Sequence, residues 1–570
     1  MAFSNRRSFI IRVASASAAA GGLLSACGGG DDDTPVTPAP VPARFDFGVA
    51  SGDPLADRVV LWTNAAPADG QSVVNLTWEV ARDAGFAQVV ASGQAQATAA
   101  AGFTAKVDAT GLSAGQSYFY RFREGNNNSP VGRTRTLPAS GVASVKLAVF
   151  SCANYPAGFF HAYSEAVNQG AEYAVHLGDY IYEYPANGYA SQDAVALGRV
   201  STPTNECITL ADYRARYAQY RSDPDLKRLH ASLPMFAVWD DHEIANNAYV
   251  TGAENHTEGV EGAFVDRVAA ALKVWHEWMP VRTPDMTDLR KIYRSFDFGN
   301  LLSLHMLETR LTGRDRGVEL PDLVNPATQA AAFASLVSTS RQMLGAGQQT
   351  WLQQQMSASS ATWQVLGQQV LMARMAFPVS ILQALNPANT DPAAQAAGLQ
   401  AITDYLTAKG TAALDPLLLT PTQQELLNPA INPLLGYNLD AWDGYPAARE
   451  VLLGTADTLG KRLVTLAGDT HNAWHSDLTL MDGTKVGEEF ATPGVSSPGL
   501  EAVLAAIPPA DTANIFTGVI DTLNYADTAR RGFLIMTFTP TAATGDWYFV
   551  NTVKSSNYTV VLGHTAVFKA

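Results

Sequence analysis

Cysteine is nearly missing: the 570 residues hold three, too few to staple a fold with disulfides. Charge is scarce as well. Asp, Glu, Lys and Arg make up 16% of the chain, and positive charge is scarcer than negative, with 38 Lys and Arg against 53 Asp and Glu and a net charge of −15. Such a body lacks the basic field that holds nucleic acid by its phosphates, so nucleic acid is not expected as a structural partner. An anionic ligand must instead meet local positive charge, from a metal ion or a placed arginine. Beyond the first residues no run reaches the ~18 uninterrupted apolar residues of a membrane-spanning helix, and no internal repeat is visible. Apolar residues are abundant, at 47%, which excludes a disordered chain and provides for a large core.

The N-terminus reads as an address. Arg6-Arg7 precede a weakly hydrophobic Ala, Gly and Ser run to Ala26 that Arg12 interrupts, the form of a twin-arginine signal. Leu24-Ser25-Ala26-Cys27 has the form of a lipobox. Residues 1–27 are therefore expected to engage the twin-arginine export machinery and to leave Cys27 lipidated, at the periplasm or cell surface. Residues 28–43, rich in Gly, Asp, Thr and Pro, read as a flexible tether. That route carries folded proteins, and folding first lets a metal be loaded where its supply is controlled. Residues 44–137 contain short strand-like runs such as Val59-Val60-Leu61-Trp62 and Tyr118–Arg123 between turn residues, which predicts a small Ig or fibronectin-like β-sandwich. From 143 to 570 strands alternate with helices, an α/β texture. Residues 378–435 are nearly uncharged and read as an insertion beside the site.

Polar clusters follow four apolar strands. Val145–Ser151 runs into Cys152-Ala153-Asn154, and Tyr173–Leu177 into Gly178-Asp179-Tyr180-Ile181-Tyr182-Glu183. Met235–Trp239 runs into Asp240-Asp241-His242-Glu243, with Asn247 close behind, and Arg462–Ala467 into Gly468-Asp469-Thr470-His471. In layered α/β folds the carboxyl ends of neighbouring strands meet at one crevice. Taken singly, each cluster has an ordinary reading. Cys152 is a small buried hydrophobe or a disulfide partner of Cys207, Asp240-Asp241 a helix cap, and His471 a core histidine. Together and in this order they point to a metal site.

The series Cys152, Gly178-Asp179-x-x-Tyr182, Asp240-Asp241-His242-Glu243 and Gly468-Asp469-x-His471 resembles the PhoD-like alkaline phosphatase family of the calcineurin-like metallophosphoesterases. Gly48–Pro54 with Val60-Leu61-Trp62-Thr63 resembles the start of that family's N-terminal β-domain, and Trp363–Gln369 and Trp442–Pro446 resemble its catalytic domain. The likeness runs from about residue 44 to about 550. It implies a four-layer αββα sandwich after the small all-β domain, with two or three metal ions at the strand ends, in a monomer. Asp179 would bridge the metals. Cys152, Tyr182 and His471 would complete a centre suited to Fe3+. Asp241 and Asp469, with Asn247 as a weaker ligand, would build an oxygen-rich centre for one or two Ca2+. Asp241 stands where most of the superfamily has Asn, and Asp469 where most has His, a change from nitrogen to oxygen that favours calcium. His242 would hydrogen-bond the phosphate or protonate the leaving alkoxide, oriented by Asp240 or Glu243. Arg310 would clamp two phosphoryl oxygens.

The implied activity is hydrolysis of phosphate mono- and diesters by direct attack of a metal-bound hydroxide. Two other readings stand beside it. One is a dedicated phosphodiesterase or phospholipase-type hydrolase acting on membrane or wall phosphodiesters. The other is a surface binding lipoprotein with an inactive phosphoesterase body.

Overall fold

The structure, a computed structural model, describes residues 42–67, 70–384 and 391–570. The twin-arginine signal, Cys27 and most of the tether lie outside the described residues. At the tether's end Ala43 is already tied down, its N–H donating to Glu124 Oε2 at 2.6 Å and its carbonyl accepting from Asn127 Nδ2 at 2.7 Å.

Two large sheets carry the chain. One has nine strands in the order Val560–Lys569, Ala542–Val550, Arg531–Phe538, Val145–Phe150, Tyr173–His176, Met235–Ala237, Val49–Gly52, Arg58–Asn64, Thr104–Thr110. The other has seven, in the order Arg294–Phe298, Leu302–Met306, Trp363–Gly367, Arg462–Ala467, Lys485–Ala491, Ala473–Thr479, Leu523–Asp527. The central strands of both are parallel: 145–150, 173–176 and 235–237 in the first, and 302–306, 363–367, 462–467 and 485–491 in the second. Val145–Phe150, Tyr173–His176, Met235–Ala237 and Arg462–Ala467 are short, mainly apolar runs, as expected of strands covered on both faces.

The sheets pack face to face over one core. Phe236 of the first meets Phe296 of the second with ring centroids 4.5 Å apart, and Trp547 donates across to the Ala491 carbonyl at 2.9 Å. Helices His161–Asn168, Leu210–Ser222, Pro224–Ser232 and Phe264–Trp278 bury Tyr163, Tyr217, Leu229 and Trp275 against the first sheet. Helices Gly345–Ala358 and Pro446–Thr458 bury Leu352, Met356 and Leu453 against the second. The layering is the four-layer α/β sandwich expected from the sequence, with an all-β region at its N-terminal end.

That region is continuous with the first sheet. Gly52 pairs in parallel with Met235, and a Cβ on Gly52 would sit 2.3 Å from the Pro280 carbonyl oxygen, so only glycine allows the approach. Beside it Asp53 takes both Arg294 Nε and Nη2 at 2.8 Å. Strands Val73–Ala81, Val89–Thr98, Ser117–Glu124, Asn127–Asn128 and Gly132–Arg135 form a separate five-stranded sheet. It packs Leu76, Val80, Tyr120 and Phe122 against Val59 and Leu61. Residues 378–435 leave and rejoin the body through a neck, where Ala376–Pro378 pairs antiparallel with Leu434–Gly436.

Candidate metal centre

The carboxyl ends of both sheets meet on one face. Ser151 bridges to Gly494 in parallel, and Cys152 N–H reaches the Gly178 carbonyl at 3.3 Å. The turns there are tight. Cys152, Asp179, Asn247, Asp469 and His471 all hold positive φ, between 52° and 62°, a region that side-chain-bearing residues seldom occupy and that clusters at functional sites. Gly178 has φ +105°, and a Cβ on it would lie 2.4 Å from Asp240 Cβ.

Three overlapping groups of donor atoms result, each with all its atoms within 4.8 Å of one another: Cys152, Asp179 and His471; Asp179, Asp241 and His242; and Asp240, Asp241 and Asp469. Tyr182 joins the first group, its Oη donating to Asp179 Oδ2 at 2.8 Å and lying 3.0 Å from His471 Nε2. Ser497 Oγ donates to the same phenol at 2.7 Å. His471 Nδ1 lies 2.6 Å from the Pro498 carbonyl. A carbonyl only accepts, so the proton sits on Nδ1 and the Nε2 lone pair faces the cluster, the tautomer a metal needs. Burial keeps this imidazole neutral, its pKa lowered to about 3.

In the other groups Asp241 accepts from the backbone N–H of His242 at 2.9 Å and of Asn247 at 2.6 Å. Asn247 thus reaches the site through its main chain, while its side-chain amide donates to Glu254 at 2.5 Å. Asp469 Oδ2 takes Asn438 Nδ2 at 3.4 Å.

The electrostatics call for cations. Burial, joined by neighbouring carboxylates, pushes Asp179 and Asp469 well above the ordinary carboxylate range, and burial likewise raises the Cys152 thiol and the Tyr182 phenol. Asp240 is raised to about 7 by burial despite Arg310. Asp179 Oδ1 is buried with no hydrogen-bond partner. Burying several acidic groups this way is costly unless they are paired or hold metal. Thiol, phenol, imidazole and carboxylates in this arrangement fit multivalent cations.

Three sequence expectations are revised. Cys152 and Cys207 are both free and buried, so the disulfide alternative falls. His242 is oriented by Glu183, whose Oε2 lies 2.8 Å from Nδ1, because Asp240 and Glu243 are engaged elsewhere: Asp240 holds Arg310 Nε at 2.5 Å, and Glu243 accepts the backbone N–H groups of Asp179, Tyr180 and Asp240. Arg310 is fully buried and committed to carboxylates, with Nη1 on Asp440 at 2.6 Å and Nη2 on Asp469 at 3.3 Å. Its fork is occupied by the site's own acids.

Ser497 lacks the signal that marks the other clusters: Pro493–Pro498 follows the buried strand Lys485–Ala491, whose Lys485, Glu488 and Glu489 break up the apolar run. Glu183 lay inside a recognised cluster. Asn438 and Asp440 follow only the short neck strand Leu434–Gly436, outside the parallel strands whose ends mark the site.

The profile of the PhoD-like phosphatase family matches residues 147–547, and that of the PhoD-like phosphatase N-terminal domain matches residues 32–138. Alkaline phosphatase D of Bacillus subtilis (strain 168) is 35% identical over 472 residues, covering 80% of this chain and 70% of that protein. The solved structure of PhoD superposes with a TM-score of 0.73 at 31% identity, over 94% of this chain and 92% of that one.

Proposed function

Since the chain belongs to the PhoD-like phosphatase family and is a phosphoester hydrolase, we propose that it works as an exported, metal-dependent alkaline phosphatase and phosphodiesterase. The observation that carries the proposal is the run of overlapping donor groups, which share Asp179 and Asp241. Cys152, Asp179, Tyr182 and His471 would hold one cation, Fe3+ because thiolate, phenolate and carboxylate together bring the negative charge that stabilises a trivalent ion. Asp179, Asp241 and Asp469 would hold Ca2+ by their oxygen character, with Asn247 supporting Asp241 from behind. Bound there, the cations would neutralise the ester and acidify water at working pH.

The chain's own residues supply the rest. Glu183 fixes His242 through Nδ1, and the Tyr182 ring stacks on the imidazole with centroids 4.2 Å apart. That leaves Nε2 to donate to a phosphoryl oxygen or to the leaving alkoxide. Arg310 keeps Asp240, Asp440 and Asp469 in place. Nearby hydroxyls are turned to other tasks, Ser497 to Tyr182 and Ser151 accepting from Cys152 at 3.1 Å. This supports direct attack by water with inversion, without a covalent serine intermediate.

A cavity of about 520 Å3 lined by Asn247, Asn438, Asp440 and Tyr437 adjoins the carboxylate end. It offers room for an ester substituent and favours diesters alongside monoesters. The Arg6-Arg7 pair and the lipobox-like Leu24-Ser25-Ala26-Cys27 support placement at the periplasm or cell surface, with Cys27 as the residue that would be lipidated. Hydrolysis of p-nitrophenyl phosphate and bis-p-nitrophenyl phosphate should both vanish on chelation and return with Fe3+ and Ca2+. Full activity in metal-free protein would overturn the proposal, and a protein inactive with metals bound would favour a binding lipoprotein.

A further inference from the structure

We propose that Gln369 is a positioning residue that fixes the carboxylate end of the site by tying together strand ends of both sheets. Its side chain is fully buried, and its side-chain and main-chain atoms together reach three separate segments. Nε2 donates to the Trp239 carbonyl at 2.7 Å and to the Leu307 carbonyl at 3.0 Å. Oε1 accepts from Thr309 Oγ1 at 2.7 Å. The main-chain oxygen accepts from Gly468 N–H at 2.7 Å.

Three of these four partners stand directly before a residue of the site or of its arginine network. Trp239 precedes Asp240-Asp241, Thr309 precedes Arg310, and Gly468 precedes Asp469. Trp239 follows the last central strand of the nine-stranded sheet, whereas Leu307, Gln369 and Gly468 follow adjacent strands of the seven-stranded sheet. One side chain therefore sets the spacing between the layers at the point where their acids converge. The preceding residue extends the clamp: Gln368 Oε1 accepts from Trp442 Nε1 at 3.1 Å, which holds the turn after Asp440, the partner of Arg310. An apolar side chain of the same size would leave the Trp239 and Leu307 carbonyls without this donor. The strands would still pack, but a site of this kind needs its groups held to within about 0.5 Å.

The inference rests on the metal reading of the site, and the test separates the two. Gln369→Met is compared with Gln364→Met, at the start of the strand that Gln369 follows, where an equally buried glutamine bonds His305 Nε2 at 2.9 Å and Ser359 Oγ at 2.8 Å. The readouts are kcat and KM on p-nitrophenyl phosphate, the unfolding midpoint, and the rate at which bound metal is lost to a chelator. Both variants should lower the unfolding midpoint. Only Gln369→Met should lower kcat, by about 10–100-fold as expected for a residue that orients ligands, with KM within about threefold and metal loss at least about tenfold faster. If Gln369→Met does not fold, Thr309→Val, which deletes only the bond to Oε1, should show the same split on a smaller scale. Equal kcat and equal metal retention in the Gln369 (or Thr309) and Gln364 variants would overturn the proposal. Wild-type protein active without metal would instead overturn the metal reading, and the kcat comparison would still decide the role of Gln369.

Discussion

His242 offers the sharpest test of the catalytic roles. Its Nδ1 is fixed on Glu183 at 2.8 Å, its ring is sandwiched beside Tyr182, and its backbone N–H is bound to Asp241. The ring therefore has one free nitrogen and little freedom to turn. Burial lowers its pKa while Asp241, Glu183 and Asp179 raise it well above the ordinary histidine value; of these three only Glu183 is not a proposed metal ligand, so its charge is the one that favours a proton on the ring of the loaded enzyme. Proton donation to a departing alkoxide is worth about 10²–10⁴ in rate, or about 2.7–5.4 kcal/mol at 1.36 kcal/mol per decade. A p-nitrophenolate leaves without that help, whereas an alkyl alkoxide needs it. His242→Asn should therefore cost about 10²–10⁴ in kcat on an alkyl phosphate and less than about tenfold on p-nitrophenyl phosphate. Glu183→Gln, which keeps a hydrogen bond but loses the charge, should cost about tenfold on the alkyl ester. The assay is steady-state turnover on the two esters for each variant. Equal losses on both would mean that His242 binds phosphate rather than donating a proton.

Three further outcomes follow from the same geometry. Protein loaded with iron should show a visible phenolate-to-iron charge-transfer band, and Tyr182→Phe should abolish or strongly shift it; an unchanged spectrum would remove the phenol from the metal. Arg310→Met removes the one guanidinium shared by Asp240, Asp440 and Asp469 and should lower stability by about 3–5 kcal/mol, as when a buried ion pair loses one partner. Chemical denaturation reads this, and a variant that kept its stability but raised KM more than tenfold would restore the phosphate-clamp role. His276, whose pKa is lowered to about 3 by burial and by Lys106, lies 2.9 Å from Thr283 Oγ1 and 3.0 Å from the Leu289 carbonyl. The unfolded chain takes up this proton first as pH falls below ~6.5, so the histidine's contribution should fade from there towards pH 3, by up to ~1.4 kcal/mol per pH unit. His276→Gln should flatten the fall of the unfolding midpoint between about pH 6 and 4, and an unchanged slope would count against that role.

The sequence displayed the site better than its wiring. The four strand ends were legible because parallel strands covered on both faces are written as mainly apolar runs, so a sudden cluster of Asp, Tyr, Cys or His stands out. The acids that occupy Arg310 were not legible, since they lie 70, 130 and 159 residues away along the chain, and no local pattern links such positions. Likewise, the pairing of Gly52 with Met235, which fuses the N-terminal strands to the large sheet, depends on a close backbone approach that a lone glycine does not announce. Glu183 was visible as a residue but not as the partner of His242, because which carboxylate faces an imidazole is set by side-chain direction across a turn.

In the active protein Cys152, Asp179, Tyr182 and His471 should enclose one cation while Asp179, Asp241 and Asp469 enclose another. Anomalous diffraction from crystals of the active protein, recorded on both sides of the iron absorption edge, addresses it directly. An iron-specific peak is expected, bounded by the Cys152 Sγ, the Tyr182 Oη and the His471 Nε2, with a second, lighter cation beside Asp241 and Asp469. An active crystal with no anomalous density among those side chains would contradict it.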